Sequence, residues 1–225
     1  MKVKEKLYMP MENLQDVGAI TIVALGDSVT HGVLTPEENN YETVYWNVLK
    51  KKLNAERDRI PVNVINAGVN GNTAPRALLR LERDVLRYHP DLVIVCLGLN
   101  DINGTIDEYT GSLKKIFEAL EGTDVIFMTP NMLNTHFDEE APPQWHEYAK
   151  ITAVYQTEGK MDSYIYAAVS LAKEMGVTVC DCYGEWKKLY ENGTDVTKLL
   201  INRINHPIPE MHELFASKLF ETIMK

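Results

Sequence analysis

Five apolar runs recur along this chain, and stretches with helical spacing lie between them. The runs are "AITIVALG" at 19–26, "PVNVINAG" at 61–68, "DLVIVCLG" at 91–98, "DVIFMTP" at 124–130 and "VTVCDCY" at 177–183. Few folds accept this pattern. Strands that are apolar at nearly every position are buried on both faces, and strands alternating with helices pair in parallel, with the helices as covers. Crossovers in such sheets are right-handed. The expected fold class is therefore α/β: a three-layer α/β/α sandwich around a flavodoxin-like, parallel five-stranded sheet.

The helical stretches fit the same plan. Val44, Val48, Leu49 and Leu53 share one face of the first. Leu78, Leu81, Val85 and Tyr88 share a face of the second, with Thr73 as its expected N-cap and Pro75 in its first turn. Leu113, Ile116, Phe117 and Leu120 mark the third. Ile165, Ala168, Val169 and Ala172 mark a fourth, stopped by Gly176. Phe215, Leu219 and Ile223 mark the last. There is no repeat and no linker, so residues 1–225 read as one domain, with 1–17 as an N-terminal extension. Residues 130–161 break the rhythm and read as one long irregular loop, interrupted by Pro142-Pro143. Loops of that length in compact domains are usually functional or mobile.

Composition narrows the function classes. A chain of 225 residues can bury a real core. Its net charge of −9 argues against a nucleic-acid partner, which would need a basic face, and against an anionic membrane surface. No apolar run is long enough to span a membrane, and the N-terminus has no apolar stretch of the signal-peptide kind. Cys96, Cys180 and Cys182 are an odd set without framework spacing and read as small core residues of a reducing compartment. The cytoplasm is the expected location, although a secreted chain trimmed of its leader would read the same way. Asn103-Gly-Thr and Asn192-Gly-Thr match the glycosylation pattern, which carries meaning only in a secreted protein.

In open parallel sheets ligands bind outside the carboxyl ends of the strands, where the strand order reverses. Here "GDSVTHG" at 26–32 follows the first strand, "NAGVNGNTA" at 66–74 ends the second, and "GLND" at 98–101 follows the third. In a 2-1-3 order these loops meet at one point. A serine there, Ser28, needs a base to take its proton and donors to hold an oxyanion. The Ser28 N–H, the Gly71 N–H and the Asn100 side-chain amide are candidate donors. Histidine is the base suited to neutral pH. Of the six histidines, His31 lies too near Ser28 in sequence, His89 precedes Pro90 at a helix end, His136 and His146 lie in the long loop, and His206, in "INRINHP" before the last helix, sits where the chain returns to the same edge, with His212 following on that helix.

Read in order, these four motifs resemble those of the SGNH hydrolases of the GDSL lipase/esterase superfamily. "GDS" matches the first block with Ser28 as nucleophile. Gly71 matches the second block's glycine. Gly98, Leu99, Asn100 and Asp101 match the third block's Gly-x-Asn-Asp, and His206-Pro207 the last. The resemblance implies a flavodoxin-like fold, no metal and no cofactor. It also implies ester hydrolysis through an acyl-enzyme, with Ser28, Gly71 and Asn100 as oxyanion hole and His206 as general base and acid. One position departs. The family usually has Asp three residues before the histidine, and this chain has Arg203, which cannot accept a hydrogen bond. The expected substitute is a neutral acceptor, either the Asn202 amide oxygen or a backbone carbonyl of the 202–204 turn. Glu210 is the nearest carboxylate in sequence.

The expected activity is hydrolysis of small, short-chain acyl esters, acetylated carbohydrates among them. The partner is a small-molecule ester. Asn131, His136 and Trp145, in the long loop after the fourth strand, are expected to line the substrate site. A non-catalytic ester- or carbohydrate-binding relative is the alternative that the missing Asp suggests. A flavin- or phosphate-binding protein would need a Gly-Lys-Ser/Thr loop or a Gly-x-Gly-x-x-Gly fingerprint, and neither is present.

Overall fold

The computed structural model describes the backbone of residues 1–225 and the side chains of all but Met11 and Leu14. Its central sheet has strands β1 Ile20–Gly26, β2 Val62–Gly68, β3 Leu92–Cys96, β4 Asp124–Met128 and β5 Thr178–Cys180, one in each apolar run. The order is β2-β1-β3-β4-β5, and every pairing is parallel. The sheet runs outward in opposite directions from β1. Gly26 pairs with Gly68 on one side and Cys96 on the other, so three strand ends stand level at the reversal point.

Apart from the single turns Leu14–Val17 and Leu81–Asp84, the helices are α1 Lys2–Leu7, α2 Ser28–His31, α3 Tyr45–Glu56, α4 Ala74–Leu79, α5 Ile106–Ala119, α6 His146–Thr157, α7 Lys160–Glu174, α8 Cys182–Glu191 and α9 Pro209–Met224. α3 packs on α9, while α4 packs on α5 and α5 on α7, which gives the two covering layers. The stretch read as an N-terminal extension includes α1, whose Val3 and Leu7 are buried in the main core.

Two expectations need correction. The second helical stretch is broken: α4 ends at Leu79, a single turn follows at Leu81–Asp84, and a 3₁₀ turn closes at Leu86–Tyr88. At the first break Arg80 turns inward. Its guanidinium donates to the carbonyls of Ala67 (2.8 Å) and Gly26 (3.1 Å) at the ends of β2 and β1, and to Asp84 (3.0 Å). Thr73 makes no side-chain cap either; the Ala74 N–H donates instead to Asp101 Oδ1 at 2.8 Å.

The second correction concerns residues 130–161, which are not one irregular loop. They contain the 3₁₀ turn Pro143–Trp145, the whole of α6 and the start of α7. The inward face of α6 is Ala149, Thr152, Ala153 and Gln156, a helical spacing built from small and polar residues. Those residues face extended chain, whose backbone needs partners. Gln156 Oε1 accepts the Leu133 N–H at 2.9 Å. Thr152 donates to Asn134 Oδ1 at 2.6 Å, and Asn134 donates to the Ala149 carbonyl at 2.8 Å. An apolar period could not appear, because this helix packs by hydrogen bonding.

Candidate active site

β1 ends at Gly26 and the chain turns at once into α2. Asp27 is the N-cap, its Oδ1 accepting the Val29 N–H at 3.0 Å. Ser28 is the first residue of that turn, so the helix ladder gives its N–H no partner. α2 lies directly over the strand ends, and a Cβ on Gly68 would run into the backbone of Thr30 and His31. The β2 loop makes a tight turn, with the Asn72 N–H donating to the Val69 carbonyl at 3.1 Å. Gly71 takes φ +68° there, in the left-handed region that glycine enters freely. A Cβ on Gly71 would meet no protein atom within 4 Å, so conformation and open space at the cavity explain the glycine, not crowding.

Ser28 and His206 meet across 178 positions of sequence. Ser28 Oγ and His206 Nε2 are 2.9 Å apart. His206 Nδ1 lies 3.1 Å from the Leu34 carbonyl oxygen. A carbonyl can only accept, so Nδ1 carries the proton and Nε2 presents its lone pair to the serine hydroxyl. The acceptor is neutral, as expected, but it does not come from the 202–204 turn. It comes from the hairpin of Val33–Thr35 with Glu38–Asn39, just past α2. Glu210 is exposed on α9.

Asn202 and Arg203 do other work. Asn202 Oδ1 accepts the N–H groups of Ile204, Asn205 and His206 at 2.9–3.0 Å, which folds the turn carrying the histidine. Arg203 sits at φ +56° and donates to the carbonyls of Leu200 and Lys198 and to Glu140. The turn is clamped at its base, where the Ile201 N–H donates to the His206 carbonyl at 2.8 Å and the Ile208 N–H to Leu199 at 2.9 Å.

Asn100 donates from Nδ2 to the Asn72 carbonyl at 3.0 Å and lies 3.5 Å from Asp27 Oδ2. Burial pushes the Asp27 carboxyl up to about 7, against the pull of the Val29 N–H. Burial likewise raises Asp101 to about 6, and its Oδ2 is buried without a partner among the described residues. Burial lowers His206 below the ordinary histidine value, while the bond to Leu34 opposes that shift. Burial is the larger effect, so the imidazole is favoured neutral in the resting site.

These residues open on a cavity of about 570 Å³. Ser28, Gly71, Asn100 and His206 line it together with Val33, Pro36, Asn70, Gln144, Trp145 and Tyr148. Of the three residues expected to line the substrate site, the structure brings Trp145 there and not the other two. Asn131 is buried, donating from Nδ2 to the carbonyls of Met132 (2.8 Å) and Asn205 (2.9 Å), so it braces the turn before His206. His136 lies beside Thr197 and Asp195, away from the cavity lining. The sequence does not disclose Leu34, whose contribution is a backbone atom, or Tyr148, which lies on α6, a helix without an apolar period.

A parallel-sheet ester hydrolase is the class that this fold and its relatives define. The chain belongs to the GDSL-like lipase/acylhydrolase family, whose model matches residues 24–214. The acetylxylan esterase of Geobacillus stearothermophilus is 25% identical over 149 residues, 58% of this chain and 68% of that enzyme. An arylesterase of Vibrio mimicus is 31% identical over 111 residues, 48% of this chain and 52% of that protein. The crystal structure of the Geobacillus stearothermophilus acetylxylan esterase superposes with a TM-score of 0.69 at 21% identity, covering 92% of this chain and 95% of that one. Among the described residues no helix is long and apolar enough to cross a membrane.

Proposed function

We propose that this esterase hydrolyses small, short-chain acyl esters, carbohydrate acetates among them, through an acyl-enzyme on Ser28. The observation that carries the reading is the 2.9 Å approach of Ser28 Oγ to an imidazole nitrogen whose partner nitrogen is already committed as a donor. His206 Nε2 takes the hydroxyl proton as Oγ bonds to the ester carbonyl carbon. The carbonyl oxygen becomes an oxyanion and receives the Ser28 N–H, the Gly71 N–H and Asn100 Nδ2. Collapse breaks the bond to the alcohol, which leaves with the proton from Nε2. Water then attacks the acyl group, giving its proton to His206, and the acid departs as Oγ recovers a proton.

The acceptor at Nδ1 orients the ring without adding a negative charge. A triad carboxylate would also stabilise the imidazolium, so the dyad should be slower than a full triad and still active. Arg203 does not weigh against catalysis, since its side chain is directed to Glu140 and to backbone carbonyls. The names of both relatives support the ester class, and the acetylxylan esterase supports acetyl as the acyl group.

The test is steady-state turnover of p-nitrophenyl esters of increasing acyl length by the wild type and by Ser28→Ala. Turnover is expected to be highest for the shortest acyl chains. It should fall to background in the variant, a loss on the order of 10⁶ in kcat by analogy with other serine hydrolases. Substantial activity in folded Ser28→Ala would move the chemistry elsewhere.

A further inference from the structure

Asp, Glu, Lys and Arg make up 24% of this chain, yet none of them lines the cavity at Ser28. A charged alcohol would find no counter-ion there, and a long alkyl chain would cover the amides of Asn70 and Gln144 without giving them partners. Part of the lining comes from residues 142–148, through Pro142, Gln144, Trp145 and Tyr148. Trp145 is 48% exposed and stands edge-on to Tyr148, ring centroids 6.1 Å apart and planes at 65°. A half-bare indole at a cavity wall is a stacking surface for a compact ring.

Tyr148 is the more informative of the two. Its ring packs on the small cluster of Ala141, Ala149 and Ile204, which ties α6 to the turn carrying His206. Its hydroxyl accepts from Asn103 Nδ2 at 3.1 Å, and the same Nδ2 donates to the Asn100 carbonyl at 3.2 Å. A phenol has one hydrogen. With Asn103 occupying a lone pair, that hydrogen remains to be given, and among the described residues no protein acceptor takes it. Burial holds the phenol protonated. Tyr148 lines the cavity, and its hydroxyl, referenced through Asn103 to the backbone of Asn100, keeps one hydrogen to give.

We propose that Tyr148, oriented by Asn103 and flanked by Trp145, is a specificity-determining residue that donates to the alcohol half of the ester, a neutral, polyhydroxylated ring. This rests on the reading of Ser28 as the acylated residue. The ring stacks on Trp145, one of its oxygens accepts from Tyr148, and the amides around the cavity meet its other hydroxyls.

The experiment compares kcat/KM for a mono-O-acetylated methyl glucopyranoside with kcat/KM for p-nitrophenyl acetate, whose alcohol is a flat phenol without those hydroxyls. In Tyr148→Phe the pyranoside-to-phenyl ratio should fall about three- to tenfold, the scale of one neutral hydrogen bond, with the loss mainly in KM. Trp145→Ala should raise KM for both esters, because either ring can stack on the indole, so it reports the stacking surface and not the donor. Melting temperatures show that each variant is folded, and the ratio in Tyr148→Phe carries the test. An unchanged ratio in folded Tyr148→Phe overturns the proposal. So does a wild type that hydrolyses p-nitrophenyl acetate and leaves the pyranoside acetate intact. A wild type inactive on both esters would count against the reading of Ser28, and this proposal would fall with it.

Discussion

On the proposed mechanism His206 can act as base only when its Nε2 is unprotonated. Burial lowers its proton affinity below the ordinary histidine value, so the neutral form persists to lower pH than a free imidazole would allow. The acid limb of kcat/KM should therefore have its midpoint below about 6.5, read from a pH–rate profile on p-nitrophenyl acetate. A midpoint above that value would mean that a negative group stabilises the imidazolium. On the same mechanism Asn100→Ala would remove a donor that meets charge developing only in the transition state. It should lower kcat by roughly 10²–10³ with little change in KM. Single-turnover and steady-state kinetics separate this from a binding defect. That Ser28, Gly71, Asn100 and His206 meet at one cavity was legible in the sequence because each stands beside a strand end or a helix start, where polar residues interrupt an apolar or periodic run. Leu34 was not legible. It contributes a carbonyl oxygen that any residue type would supply, so only the path of the chain reveals it.

At the scale of elements, the turn 202–206 replaces a missing carboxylate by geometry. Asn202 folds the turn, Arg203 ties it to Glu140, Asn131 holds the Asn205 carbonyl, and the 33–39 hairpin brings Leu34 to the ring. Restoring the family's residue with Arg203→Asp should not rebuild a triad. The side chain at 203 is directed away to the 138–140 segment, and a carboxylate there would face Glu140 and Asp138. The expected outcome is no gain in kcat and a loss of about 1–2 kcal/mol in stability, from the bonds to Leu200 and Lys198. Chemical denaturation and steady-state rates check both halves. A clear rise in kcat would show that an Asp at 203 can reach Nδ1 after all. β1, β3 and most of β4 were legible because double-sided burial writes a continuous apolar run, whereas the edge strands β2 and β5 are only partly buried and were legible from their place in the alternation with helices. α6 was not, because its inner face consists of Ala, Thr and Gln that satisfy the neighbouring backbone, and that spacing carries no hydrophobic signal.

Over the whole molecule, stability depends on pH through buried groups of opposite sign around the same strand ends. His212 is held neutral by burial and by the nearby His206, with its value lowered to about 4. The Tyr45 N–H donates to its Nδ1 at 3.2 Å. The unfolded chain binds this proton near 6.5 and the folded one near 4, so stability falls as pH drops through that window, by an amount on the order of 3 kcal/mol. Asp27 and Asp101 act the other way. Their folded values are raised to about 7 and about 6, so their contribution is full at acid pH and is lost as pH rises through those values. In His212→Gln, urea unfolding at pH 4 and pH 7 should show a smaller acid-side loss than in the wild type. An equal loss would place the proton uptake on another group. The layered architecture was legible from alternation alone, whereas these buried polar groups are set by which loops the strand order brings together. That convergence has its most direct test at Ser28. Intact-protein mass spectrometry after exposure to a fluorophosphonate, followed by peptide mapping, should find one adduct, on Ser28. That adduct should be absent in Ser28→Ala and form far more slowly in His206→Ala. An adduct on another residue, or ester turnover by a protein that acquires none, would contradict the account.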